Sequence, residues 1–119
     1  MSDVTVVDAN DVEAVRGAFR KMRLALGTNA FGINQIELPA GGSGPEHDEQ
    51  GTTHEEVYVV LEGSGTLTVE GGDPIALAPG RYVRVGPAVS RQMTAGDAGM
   101  TFIAVGAPVR DDWTGRPTL

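Results

Sequence analysis

The chain has 119 residues, no cysteine and a formal net charge of −7, which predicts a single domain that buries a core without disulfides. Lack of cysteine excludes thiol catalysis, iron–sulfur clusters and zinc-thiolate sites. The acidic balance, with only three Phe, two Tyr and one Trp, argues against a nucleic-acid or anionic-membrane partner.

In chain order, residues 1–9 read as an irregular arm or short strand. Asn10 with Glu13 three positions on has the form of a helix start, Asn10 as the N-cap. Val12, Val15, Phe19, Met22 and Leu26 then recur at helical spacing. Gly17 weakens that helix and Gly27 is its natural stop. Arg16, Arg20, Lys21 and Arg23 fall on the wet side of the same helix. The start of the chain has no basic flank followed by an apolar stretch, and no run reaches membrane-spanning length. The expectation is a cytoplasmic protein.

From Phe31 the period changes to that of strands. Phe31–Leu38, Val57–Leu61, Thr66–Glu70, Ile75–Leu77, Tyr82–Val85, Ser90–Thr94 and Met100–Val105 are strand candidates, separated by Gly/Pro-rich turns. Gly63-Ser64-Gly65 reads as the turn between the second and third of these, and Gly71-Gly72-Asp73 as a hairpin. Seventeen Gly and seven Pro in so short a chain predict many tight turns, hence an antiparallel barrel or sandwich. Trp113, in a turn-rich tail, is expected to latch onto the barrel or onto a second subunit. Ser64 between glycines reads as a turn residue, because no histidine and no strand–turn–helix context accompany it.

The two histidines, His47 and His54, both lie within ten residues of Glu56, which opens the strongest strand candidate. Gly41-Gly42-Ser43-Gly44-Pro45-Glu46-His47 followed by Glu56 and by Gly63-Ser64-Gly65 resembles the first motif of the cupins. Pro79-Gly80-Arg81-Tyr82-Val83 with Gly86-Pro87-Ala88-Val89-Ser90-Arg91 resembles their second motif. The likeness spans roughly residues 31–106. It implies an all-β, double-stranded β-helix (jelly-roll) barrel with a short N-terminal helical segment. The whole chain, 1–119, would be one domain, with an N-terminal arm and helix over 1–30, the barrel over 31–106 and a tail over 107–119. It also implies a homodimer.

In metal-dependent cupins three histidines and one glutamate hold a divalent ion inside the barrel. By that resemblance His47 stands for the first histidine and Glu56 for the glutamate. Glu49 and Arg91 stand where the other two histidines belong. Glu49 can ligate iron, manganese, zinc or nickel, but a guanidinium has no lone pair to give. Two arrangements follow. His47, Glu49, His54 and Glu56 form a metal site without Arg91, His54 sharing a strand face with Glu56. Alternatively Arg91 takes the metal's place and pairs with Glu56 or Glu49, leaving a site with no metal.

Two functions follow in turn, beside a third possibility, a mainly structural or interaction protein. The first is a small-molecule-binding barrel in which Arg91 clamps an anionic ligand, with Tyr58 and Glu56 beside it. The second is a metal-dependent enzyme (an oxygenase, isomerase or decarboxylase) acting on a small organic acid or aromatic, with Tyr58 or Arg91 orienting the substrate.

Overall fold

Two long strands carry the architecture of the computed structural model, which describes residues 3–115. Seven strands and one short helix run in the order β1 (Ala14–Val15), β2 (Phe19–Arg20), α1 (Met22–Leu26), β3 (Gly32–Leu38), β4 (His54–Val69), β5 (Ile75–Leu77), β6 (Tyr82–Val85) and β7 (Arg91–Pro108). All seven strands join one antiparallel sheet in the order β1-β2-β3-β7-β4-β5, with β6 also on β4. β4 pairs with β7 along nearly its whole length. Its other edge takes β6 at Glu56–Val59 and β5 at Gly65–Leu67.

The length of β4 and β7 departs from the sequence expectation. Gly63-Ser64-Gly65 does not reverse the chain but lies inside β4, and the two strand candidates at 90–94 and 100–105 are one strand, β7. The β4–β7 register slips between Val60 and Glu62 and again between Gly63 and Gly65. From Gly63 to Gly65 the β7 partner moves from Met100 to Ala95, five residues against two, and an odd offset of this kind flips the side chains to the other face. Along β7 the buried side chains are accordingly Arg91, Met93 and Ala95 before the slip, and Met100, Phe102 and Ala104 after it, with Gly99 and Gly106 also buried. The slips let a bent ribbon keep its apolar residues inside as it curves around the core. That core comprises Ile36, Leu38, Tyr58, Val60, Leu67, Leu77, Val85, Met93, Ala95, Met100, Phe102 and Ala104.

Gly63 makes the inner slip possible. Its φ is +75°, and a Cβ there would lie 2.1 Å from the Gly99 carbonyl oxygen. Only a residue without a side chain lets the two backbones come so close.

The N-terminal helix expected from Asn10 is the main correction. Ala9–Asp11 is a single 3₁₀ turn, Asp8 rather than Asn10 precedes it, and no side chain caps it. Residues 14–20 form a hairpin, in which Arg16 and Gly17 both have positive φ (55° and 71°) and the Ala18 amide donates to the Val15 carbonyl. This is the conformation of a type I′ turn, which matches the twist of paired strands. Helical spacing of Val12, Val15 and Phe19 therefore lost to tertiary pairing, with Phe19 set against Ile36 of β3. Helix remains only over Met22–Leu26, closed by Gly27 at φ 74°. Arg20 is not on a wet helix face either. It reaches the Glu37 carboxylate (2.5 Å) and the carbonyls of Ala9 (3.0 Å) and Val12 (2.5 Å), tying the arm to the sheet.

In the tail, Trp113 is 72% exposed and does not join the barrel core. Among the described residues no helix is long and apolar enough to cross a membrane.

Candidate functional site

Alternation along β4 turns Glu56, Tyr58 and Val60 to the concave side of the sheet, where Tyr58 and Val60 are buried. The first residue of β7, Arg91, arrives on the same side. His47 is set by a lone antiparallel bridge to Arg91, made by two backbone hydrogen bonds of 2.9 and 3.0 Å. The loop that carries His47 is held again by Glu49, whose amide donates to the Pro87 carbonyl (2.8 Å).

These elements converge on one atom, Glu56 Oε1. The Tyr58 hydroxyl donates to it (2.7 Å), Arg91 Nη2 donates to it, and His47 Nε2 lies 3.3 Å away. Arg91 Nε donates to the Tyr58 oxygen (3.0 Å) and Nη1 to the Val89 carbonyl (2.9 Å). All three guanidinium nitrogens therefore have acceptors, and Arg91 is only 1% exposed. His47 Nδ1 faces the Pro45 carbonyl (3.3 Å), so both ring nitrogens are directed at acceptors.

The charges in this cluster hold one another. Burial alone pushes the Glu56 carboxyl up, but hydrogen bonds from Tyr58 and Arg91, the Arg91 charge and the His47 contact together bring it below its ordinary value. Burial also raises the Tyr58 hydroxyl well above its usual range, against the opposing Arg91 hydrogen bond. Tyr58 is therefore a protonated donor at neutral pH. Burial works against the Arg91 charge, and Tyr58 and then Glu56 more than offset it. Together Arg91 and Glu56 contribute no net charge.

The cluster forms one wall of a cavity of about 220 Å³. The rest of the lining is largely apolar, with Phe19, Ile36, Met93, Phe102 and Ala104, plus Asn34 and Gln92. Phe19 reaches the cavity because the N-terminal hairpin pairs with β3 at Ile36. None of these lining residues belongs to a motif, so they were not singled out from sequence. What could have found them is strand parity once the register is known: Asn34 pairs with Ala104 and Ala104 with Tyr58, and Ile36 pairs with Phe102.

The four-residue metal set does not assemble. His54 opens β4 on the face of Glu56 but pairs with Pro108 and is not part of the cavity wall. The Glu49 carboxylate accepts from the Thr52 hydroxyl (3.3 Å) within its own turn. Only His47 and Glu56 meet, and among the described residues no group of three or more His, Asp or Glu side chains is placed to hold a metal ion. The buried Arg91 cation on Glu56 Oε1 adds repulsion where an ion would have to sit. The residues present therefore do not fit a divalent metal. Each Arg91 nitrogen donates to a protein acceptor and the residue is only 1% exposed, which leaves little guanidinium surface for an anionic ligand.

A family model for the cupin domain matches residues 34–106. Among curated proteins no relative matches. Similar solved structures include a cupin protein from Bacteroides fragilis, at 22% identity and a TM-score of 0.81, covering 98% of this chain and 93% of that one. A sugar phosphate isomerase of the cupin superfamily from Silicibacter pomeroyi aligns at 20% identity and a TM-score of 0.72, over 88% and 76% of the two chains. An RmlC-like cupin with a double-stranded β-helix fold from Methanocaldococcus jannaschii aligns at 28% identity and a TM-score of 0.58, over 68% and 72%.

Proposed function

This chain belongs to the cupin domain family, and we propose that it binds a small molecule in its barrel cavity, at a metal-free polar wall made by Glu56, Tyr58, Arg91 and His47. The observation that carries this reading is the crowding of Glu56 Oε1. Three side chains already address it, one of them a buried cation. A site built this way offers a fixed carboxylate beside an apolar chamber, the usual composition of a ligand pocket. At about 220 Å³ the chamber exceeds the roughly 150 Å³ that accommodates benzene. Its occupant is therefore a compact molecule somewhat larger than a single ring.

A metal-dependent enzyme is the reading the side chains support less. It needs three or four ligands, and the chain brings together one imidazole and one carboxylate. Fold likeness to an isomerase does not supply the missing groups, because one fold hosts many chemistries.

The test is a fluorine-detected fragment screen on the wild type and on Ala104→Leu. Ala104 lines the cavity and is nearly buried, so a leucine side chain would occupy the chamber. Fragments should bind the wild type and be released by the variant, with thermal melting confirming that it folds. Hits that bind both proteins equally would remove the cavity as the binding site.

A further inference from the structure

We infer that the cavity selects a neutral ligand with an apolar body and a hydroxyl donor, and rejects carboxylates and other anions. This rests on the small-molecule reading above and specifies its ligand class.

The argument follows the polar groups that remain unspent. Arg91 is the positive charge next to the cavity; its three nitrogens each donate to the protein, at Tyr58, Val89 and Glu56, and the residue is only 1% exposed. The Tyr58 hydroxyl proton is committed to Glu56, and both His47 nitrogens face acceptors. Gln92 Nε2 donates to the Gly44 carbonyl (3.0 Å), which leaves Oε1 of that amide as an acceptor. Asn34 adds an amide that can do either. On Glu56, Oε1 has its three partners, while Oε2 has none among the described hydrogen bonds and is not a buried orphan. Gly106 is paired with Glu56 across the sheet, and a Cβ there would stand 3.2 Å from Glu56 Cγ, a tight contact, and 3.5 Å from Oε2, an ordinary one.

With Arg91 almost wholly covered, the charge that a ligand meets is the Glu56 carboxylate, which is pinned rather than free to turn away. A hydroxyl donating to Oε2 makes a charge-assisted hydrogen bond. An anion would meet that same oxygen head on, with Arg91 shielded behind it. The net charge of −7 adds a further unfavourable field for anions. A hydroxyl group on a ring or branched hydrocarbon also suits the lining of Phe19, Ile36, Met93 and Phe102.

Benzyl alcohol, benzoate and toluene test the inference, because they share a ring and differ in the group offered to Glu56. Binding of each is followed at pH 7 by amide chemical shifts of the whole protein, read at Ile36, Tyr58, Phe102 and Ala104. Benzyl alcohol is expected to bind about tenfold more tightly than either of the others. Gly106→Ala, which sets a methyl group tightly against Glu56 Cγ and beside Oε2, should weaken benzyl alcohol several-fold and leave toluene unchanged. Benzoate binding as well as the alcohol would overturn the ligand class while leaving the cavity as a binding site. Toluene matching the alcohol would show that Oε2 takes no part, and overturn it equally. If none of the three shifts the cavity residues, the small-molecule reading falls with it.

Discussion

His47 and Arg91 face each other across a single antiparallel bridge, the amide of each donating to the carbonyl of the other, and both side chains end on the same oxygen of Glu56. Backbone and side chain thus close one loop of contacts between the segment before β4 and the start of β7. The arrangement puts a nearly inaccessible cation against a carboxylate that is itself only 16% exposed. A pair of this kind is sensitive to losing one member, because the survivor keeps its desolvation cost without compensation.

Arg91→Met should therefore destabilise the fold by about 3 kcal/mol, a fall in Tm of roughly 10 °C for a domain of this size. The double variant Arg91→Met with Glu56→Leu removes both charges and should recover most of that loss. Thermal melts of the wild type, both single variants and the double variant give the coupling directly. Additive effects would mean that the pair is not a unit.

Arg91→His should create metal affinity that the wild type lacks. Position 91 is the bridge partner of His47, so an imidazole there would join His47 and Glu56 and remove the opposing cation. Two imidazoles and a carboxylate are an ordinary zinc donor set. Calorimetric titration with Zn²⁺ and Ni²⁺ at pH 7.5 is expected to show affinity at least about tenfold above the wild type. Equal metal binding by both proteins would sink the idea that Arg91 is what keeps a metal out.

Local sequence patterns made the strands from Gly32 onward readable, because β-branched and apolar residues alternate between Gly/Pro turns. They failed at Val12, Val15 and Phe19, whose spacing suits a helix as well as it suits two short strands. Gly17 signalled the turn, but nothing local showed that Arg16 would also adopt positive φ. The continuity of β4 and β7 was hidden for a different reason. Gly63-Ser64-Gly65 has turn composition, and only the β7 backbone lying against it shows why glycine is needed. In the site, Glu56, Tyr58, His47 and Arg91 stood out by motif. Phe19, Asn34, Ile36 and Phe102 did not, since which residues face a cavity depends on registers between strands far apart in the chain.

The acid limb of the stability curve should depend on Glu56. Its carboxyl titrates lower in the folded protein than its ordinary value near 4.3. A depressed carboxyl contributes stability that is present above the unfolded pKa and is lost as pH falls through the folded pKa. Glu37 behaves likewise through its hydrogen bond from Arg20. Urea denaturation between pH 6 and pH 2.5 should show wild-type stability falling below about pH 4.5. Glu56→Gln and Glu37→Gln should each flatten that fall, by at most about 1.4 kcal/mol per pH unit. A Glu56→Gln profile parallel to the wild type would remove Glu56 from the account.

The turn at Arg16 offers a gain rather than a loss. A non-glycine side chain at φ 55° carries strain that asparagine and glycine tolerate better. Arg16 makes no ion pair among the described residues, so its replacement forfeits no contact of that kind. Arg16→Asn should stabilise the protein by about 0.5–1 kcal/mol, read as a higher urea midpoint with unchanged slope. A lower midpoint would mean that Arg16 contributes more to the hairpin than its strain costs.

Gly63→Ala tests whether the slip in the β4–β7 register is a requirement of the fold. The added Cβ would meet the Gly99 carbonyl oxygen at 2.1 Å and its carbon at 2.9 Å, both backbone atoms that cannot swing aside. The positive φ adds to the cost. Relief requires β4 and β7 to separate locally, which would disturb the pairing of Gly63 with Met100, a core residue. We expect a loss of about 2–4 kcal/mol. Gly71→Ala serves as the comparison, because Gly71 has nearly the same φ, 74°, with nothing within 4 Å of its Cβ position. That variant should lose only about 1 kcal/mol. The difference between the two urea midpoints isolates the close backbone approach, and equal losses would attribute the Gly63 effect to φ alone.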